Sequence, residues 1–110
     1  MEWIQATLVL PKHPNPDTLS EEGYAVTLAL VEIHLAEGFG GYTRWECKGA
    51  ERQDDGSVIH EDGYVYLFDF STEDRRSAEA FEDLRGLVKR LLGQRAVFLS
   101  YVTLEDAAVQ

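Results

Sequence analysis

Apolar residues recur at every second position in several stretches of this chain, which is the periodicity of β-strands. Residues 3–10 form the first such stretch, with Ile4 and Leu8 on one side, and Pro11 ends it. The most strand-like stretch is Tyr64 to Phe70, where aromatic and β-branched residues predominate. Both of its sides are largely apolar, so we predict a central strand that is covered, at least in part, on both faces.

A second strand, Tyr42 to Lys48, alternates more cleanly and is predicted to lie at an edge of the sheet with one wet face. Residues 54–57 separate it from the aromatic strand and carry the Asp-Gly signal of a hairpin turn. The last strand is predicted over Ala96 to Thr103. Residues 105–110 are predicted to form a polar tail after a single domain over residues 1–104.

Two stretches have helical spacing instead. The first helix is predicted to begin at a cap on Asp17 or Ser20 and to end at Gly38. Its buried stripe comprises Tyr24, Leu28, Val31 and Leu35, widened by Leu30 and Ile33. The second is predicted to begin at a cap on Ser71 or Thr72 and to end at Gly93, with a buried stripe of Ala78, Phe81, Leu84, Val88 and Leu91.

The order strand, helix, strand, strand, helix, strand is the βαββαβ pattern of an α+β, ferredoxin-like fold. Right-handed crossovers place both helices on one face of a four-stranded antiparallel sheet, with the first and third strands central. The face without helices is called the open face. By alternation we expect it to carry Trp3, Gln5, Thr7, Val9, Arg44, Glu46, Lys48 and one side of the third strand.

The aromatic side of the third strand has two interpretations. We favour packing beneath the helices, because the layer between a sheet and two helices needs large side chains. The alternative is that these aromatic residues line a cavity at the open face, and RNA-binding members of this fold class expose aromatic residues there. The residues concerned are Tyr64, Tyr66, Phe68 and Phe70.

Charge and composition narrow the function classes. Twenty acidic and 10 basic residues give a net charge of -10 with no basic cluster, which disfavours nucleic-acid binding. Cys47 is the sole cysteine, so neither an intramolecular disulfide nor a cysteine metal cluster is expected. The start of the chain does not resemble a signal peptide, and no apolar run approaches the roughly 20 residues of a membrane helix. We expect a cytoplasmic protein without a membrane association.

No catalytic, phosphate-binding or dinucleotide motif occurs in the sequence. The acidic pairs at residues 54–55, 61–62 and 73–74 fall at predicted turns or a helix start, where turn chemistry and capping explain them. His34 and Glu37 share a helix face and could be joined by His60 and Glu61 in a metal site, but the spacing lacks a metal-binding pattern. We therefore predict no catalytic residues, metal or cofactor.

One segment resembles a known group of proteins. Phe39-Gly40-Gly41-Tyr42-Thr43, the turn at Asp55-Gly56, Glu61 and Gly93-Gln94 follow in the order found in small uncharacterised bacterial and phage-associated proteins. The resemblance covers residues 39–102, although Ala50-Glu51 stand where those proteins have a Trp after Gly49. It implies the architecture and no particular activity.

These observations predict a non-enzymatic protein-interaction module that forms a homodimer through the open face. A more specific hypothesis is an acidic phage- or plasmid-type inhibitor of a basic host protein. The alternative is a small-molecule-binding protein or small enzyme with a pocket at the open face, formed by Trp3, Arg44, Tyr66 and His60. The predicted interface or ligand residues are Trp3, Gln5, Thr7, Arg44, Glu46, Lys48, Tyr66 and His60.

Overall fold

The computed structural model describes residues 2–15, 17, 19–90 and 98–104. Within these ranges the elements follow in the predicted order. They are β1 (Trp3–Pro11), α1 (Glu21–Phe39), β2 (Thr43–Arg52), β3 (Val58–Ser71), α2 (Arg75–Arg90) and β4 (Phe98–Leu104). The predicted tail at 105–110, the end of α2 near Gly93 and the first residues of the predicted last strand lie outside the described residues.

The four strands form one antiparallel sheet in the order β2-β3-β1-β4. The predicted placement of the first and third strands at the centre is confirmed, as is the ferredoxin-like topology. The strand β3 is longer than predicted, because its pairing with β2 continues from Leu67 out to Val58 beside the turn at Gly56. Gly56 has φ 89°, a conformation that glycine adopts without a steric penalty.

The core lies between this sheet and the two helices. Ala6 and Leu8 of β1 are fully buried, opposite Phe68 and Tyr66 of β3, so even-numbered residues of the two central strands face the helices. The aromatic side of β3 therefore packs beneath the helices, as favoured from the sequence, and it does not line a cavity at the open face. The core cluster comprises Ala6, Leu8, Leu10, Val31, Leu35, Tyr66, Phe68, Phe70, Phe81 and Leu84.

The helix α1 begins at a side-chain cap and ends at a glycine cap. The Ser20 hydroxyl accepts a hydrogen bond from the Gly23 amide at 3.0 Å, which confirms one of the two predicted caps. The predicted end at Gly38 is wrong. The helix continues to Phe39 because Gly40, with φ 79°, donates to the Ala36 carbonyl and closes the last turn.

The predicted widening of the buried stripe of α1 is also wrong. Leu30 and Ile33 are 60% and 52% exposed, and Val26 on the same side is 60% exposed. The sheet and α2 contact α1 on the side of Val31 and Leu35, and a helix rotates by about 100° per residue. Residues on the opposite side of α1 therefore face away from the core.

The helix α2 is capped by Asp74 and not by the predicted Ser71 or Thr72. A carboxylate oxygen of Asp74 accepts from the Ser77 amide at 3.2 Å, and the Asp74 carbonyl accepts from the Ala78 amide. The hydroxyl of Ser71 instead accepts from the Glu73 amide within the preceding turn. Where α2 crosses α1, the Ser77 hydroxyl donates to the Gly38 carbonyl at 2.9 Å.

Candidate functional site

The eight residues predicted for the interface or ligand face lie on two different faces. Trp3, Gln5 and Thr7 are on the open face, as predicted. Tyr66 is fully buried on the helix side, opposite Leu8. His60 lies on the same side of β3 as Tyr66, because the two positions differ by an even number.

The placement of the charged residues of β2 was predicted wrongly. Thr43 is opposite Leu67, and Leu67 is opposite Thr7, so the odd-numbered residues of β2 share the open face with Thr7. Their neighbours in the strand point to the helix side, because alternate side chains lie on opposite faces. Arg44, Glu46 and Lys48 therefore lie on the helix side of the sheet and not, as predicted, on the open face.

The open face is therefore more apolar than the sequence analysis predicted. Trp45 of β2, Val65 of β3 and Val9 of β1 lie side by side in register and form a row across the sheet. Trp45 is 45% exposed, and Val102 at the β4 edge is 55% exposed. Among the open-face side chains that the structure describes, the charged ones are Glu61 and Asp69, and they lie towards the two ends of β3.

A shallow apolar hollow extends this face towards the hairpin. It has a volume of about 140 Å³ and is lined by Val9, Cys47 and Ile59, with glycine on both strands. Gly63 borders the hollow, and a side chain there would force its neighbours to shift, because a Cβ would lie 3.0 Å from the Leu10 carbonyl oxygen and 3.2 Å from the Cys47 sulfur. Cys47 is half-buried on the open face. The rate at which its thiol reacts with a reagent should therefore fall when another molecule covers this region.

On the helix side, a polar cluster joins α1 to the edge of the sheet. One carboxylate oxygen of Glu32 accepts from the Arg44 guanidinium at 3.1 Å and from the Tyr42 hydroxyl at 3.2 Å. The other accepts from the Tyr66 hydroxyl at 3.4 Å. The Arg44 guanidinium also lies 4.9 Å from the centre of the Tyr64 ring, within the range of a cation–π contact.

The two tyrosine hydroxyls of this polar cluster have raised pKa values. Burial, followed by the charge of Glu32, raises the pKa of Tyr66 to about 12. Burial and the same carboxylate also raise the pKa of Tyr42. Both phenols remain protonated donors at neutral pH, and Arg44 is engaged by Glu32. The arrangement fixes α1 against β2 and β3, and this explains why Arg44 lies on the helix side.

The three histidines do not assemble into the metal site considered in the sequence analysis. The His34 Nε2 atom donates to the Ala80 carbonyl at 2.9 Å and joins the two helices. His60 lines a different cleft, together with His13 and Glu61. In the described ranges, no three His, Cys, Asp or Glu side chains are placed where they could hold a metal ion.

The acidic pairs are accounted for by local structure where the structure describes their contacts. Asp55 accepts hydrogen bonds from the amide and the hydroxyl of Ser57, and these lower the pKa of its carboxyl. Asp74 caps α2. These contacts agree with the expected turn chemistry and capping. No helix in the described part of the chain is long and apolar enough to cross a membrane.

No protein-family model and no curated protein matches the chain. Solved structures do match. The PII-like protein CutA from Nostoc sp. PCC 7120 in apo form has a TM-score of 0.51 and 18% identity, over 97% of this chain and 85% of that one. The fold is ferredoxin-like. The divalent cation tolerance protein (Cut A1) from Thermus thermophilus agrees, with a TM-score of 0.52 and 20% identity over 97% and 85% of the two chains. At these identities, the likeness concerns the fold alone.

Proposed function

We propose that this protein is a non-enzymatic interaction module that binds a second copy of itself through the open face. The observation that carries the proposal is the apolar row of Trp45, Val65 and Val9, which no helix covers in the described part of the chain. Trp45 is 45% exposed and Val9 is half-buried, whereas Val65 between them is 9% exposed. Exposed apolar surface is typical of protein interfaces. Trp45 is suited to an anchoring role, because tryptophan is enriched among the residues that dominate binding energy.

A second copy is the favoured partner because the charges of this face lie at its ends. In a two-fold homodimer the same patch meets itself, so like charges in its centre would oppose the contact. Glu61 and Asp69 lie towards opposite ends of β3, and the rows between them are uncharged. Two copies can therefore bury the centre of the face while both carboxylates stay at its solvated rim.

The oligomeric state tests the proposal. The chain has two tryptophans, Trp3 and Trp45, and both lie on the open face, so tryptophan emission reports on this surface alone. We expect light scattering coupled to size exclusion to give twice the mass of the chain at low and at high salt. We also expect the emission to shift to longer wavelength when dilution separates the copies.

Two variants locate the contact. Trp45→Glu places a charge in the centre of the apolar row and should produce a monomer. Val58→Glu is the matched control, since Val58 is exposed at the far end of β3 and its side chain lies on the helix side of the sheet. It should leave the mass unchanged. A wild-type monomer at every accessible concentration would contradict the proposal, and so would a dimer that Trp45→Glu leaves intact.

The alternative function, a ligand pocket or small enzyme site, finds less support. Its four predicted residues are not brought together, because Trp3 is on the open face while Arg44, Tyr66 and His60 are on the helix side. Among the described residues, the open face offers a ligand two shallow hollows. The one beside Cys47 is small and mostly apolar, with Glu61 and Asp62 at its border. The other, of about 310 Å³, lies where Gln5, Thr43 and Asp69 meet the turn at Gly40 and Gly41.

A more specific form of the proposal is an acidic inhibitor that occupies a basic surface of another protein. The net charge of -10 and the resemblance to phage-associated proteins support it. Such binding should weaken steeply as the salt concentration rises, because the attraction between exposed charges is screened. A partner whose affinity does not depend on salt would contradict this form and leave self-association untouched.

A further inference from the structure

The outer side of α1 is apolar along most of its length. Val26, Leu30 and Ile33 follow at intervals of four and three residues and are all more than half exposed. Side chains at this spacing lie above one another on a helix. The small side chains beside them are exposed as well. The resulting surface, called the α1 stripe, comprises Ala25, Val26, Ala29, Leu30, Ile33 and Ala36.

This surface is unusual for a solvated helix. Between Glu22 and Glu37, α1 carries two acidic or basic side chains, Glu32 and His34. Neither one covers the stripe, because Glu32 is bound to Arg44 and His34 donates to the Ala80 carbonyl on α2. A helix that is apolar on all sides is typically covered on all sides.

The charges around the α1 stripe are acidic. Glu22 stands at one end and Glu37 at the other, both exposed. One turn beyond Leu30 and Ile33, a groove of about 240 Å³ opens between α1 and α2. Three carboxylates and one guanidinium line this groove, from Glu37, Glu79, Asp83 and Arg76. The helix α1 itself carries no Lys or Arg.

These charges argue against a second copy of α1 as the occupant. Parallel pairing would place Glu22 against Glu22 and Glu37 against Glu37, and antiparallel pairing would place Glu22 against Glu37. Like charges meet in either orientation, and this opposes association. A helix with an apolar face and Lys or Arg on its flanks meets opposite charges instead, both at the ends of the stripe and along the acidic groove.

We propose that the α1 stripe, with the acidic groove beside it, is a docking site for a basic amphipathic helix of another protein. The stripe spans about 16 Å, or three turns, which is the length over which such a helix presents its anchoring residues. The site is independent of the proposed self-association, since α1 and the open face lie on opposite sides of the sheet.

A labelled synthetic peptide of about 16 residues is the probe, with Leu on one face and Lys on both flanks. Its twin carries Glu in place of every Lys. Fluorescence anisotropy should show binding of the Lys peptide to the wild-type protein and at least about tenfold weaker binding of the Glu peptide. Tryptophan emission should not change during the titration, because both tryptophans lie on the open face.

Variants assign the binding to this surface. Ile33→Lys and, as a second test, Leu30→Lys should weaken the Lys peptide at least about tenfold, since each puts a like charge in the apolar centre. Glu37→Gln keeps the apolar surface, and it should weaken the peptide a few fold and reduce the salt dependence. Val58→Lys is the control for a less negative net charge, and it should bind the Lys peptide as tightly as the wild type does.

Four results would overturn the proposal. The two peptides could bind equally, or the Ile33 and Leu30 variants could bind as the wild type does. A shift of tryptophan emission on binding would place the peptide on the open face instead. A fall in the mass of the protein caused by Ile33→Lys alone would make a second copy the occupant of the stripe.

Discussion

Gly38 and Ala80 lie so close where α1 crosses α2 that a Cβ on Gly38 would be 2.7 Å from the Cβ of Ala80. Real carbon atoms do not approach to that distance, so any side chain at residue 38 must separate the helices. The Ser77 hydroxyl donates to the Gly38 carbonyl at the same point. The contact between the helices therefore depends on a missing side chain as well as on a hydrogen bond.

Gly38→Ala should destabilise the protein. Overpacking a close contact costs about 1–3 kcal/mol, which outweighs the gain of up to about 1 kcal/mol in helix propensity. Urea unfolding followed by circular dichroism measures the difference. Gly86→Ala in α2 is the matched control, because nothing lies within 4 Å of a Cβ there, and it should be neutral or stabilising. A Gly38→Ala protein as stable as Gly86→Ala would show that the helices separate without cost.

The stability should fall at high pH through Tyr66. Its pKa is about 12 in the folded protein against 10.0 as a free phenol, so the folded state holds the proton more tightly. The stabilisation is complete below about pH 10 and is lost as the pH rises towards 12, by at most about 1.4 kcal/mol per pH unit. Urea unfolding at a series of pH values measures this slope.

The variant Tyr66→Phe isolates that effect, because its ring cannot ionise. The slope of unfolding free energy against pH should be shallower than in the wild type above about pH 10. Burial raises the pKa of Tyr24 as well, so part of the slope should persist in the variant. Equal slopes for the two proteins would show that folding does not raise the pKa of Tyr66.

Self-association should protect the Cys47 thiol. Cys47 lies on the open face, and its sulfur borders the hollow at Gly63. Its reaction with a thiol reagent should slow as the protein concentration rises, because a second copy covers this face. The Trp45→Glu protein should react at one rate at all concentrations. A wild-type rate that does not depend on concentration would mean that the contact leaves this end of the face open.

Asp74→Ala should destabilise the protein by about 1 kcal/mol, the usual effect of losing a helix N-cap. The carboxylate of Asp74 satisfies the Ser77 amide, which has no partner within the helix. Asp83→Ala is the matched control, because it removes an exposed carboxylate from the middle of the same helix. If the two variants lost equal stability, the loss would be due to charge and not to the cap.

The sequence predicted the fold because its periodicities are local. The alternation of residues 3–10 and of Tyr64 to Phe70 indicated two central strands, and the order of elements then determined the sheet. Ser20 caps α1, and Gly56 lies in the hairpin turn with a positive φ, as the local sequence predicted. Each of these predictions needed a few neighbouring residues and the common rules of connection.

The errors arose where a distant residue decides the outcome. The alternation of β2 was correct, but alternation does not say which side faces the helices. The register of β2 with β3 settles this, and the ion pair from Glu32 of α1 to Arg44 agrees with it; both depend on residues of other elements. In the same way, the spacing of Leu30 is compatible with a wide buried stripe, and only the position of α1 on the sheet shows that it is exposed. For these reasons the open face is more apolar than the sequence predicted.

The charged row of β2 affects more than the placement of α1. This strand is an edge of the sheet, and Arg44, Glu46 and Lys48 lie at every second position along it. Charged side chains on an edge obstruct the addition of a further strand. A fibril needs every chain to offer two edges that accept a neighbour. With β2 obstructed, the molecule can expose an apolar face and still stop at a closed particle instead of extending into cross-β aggregates.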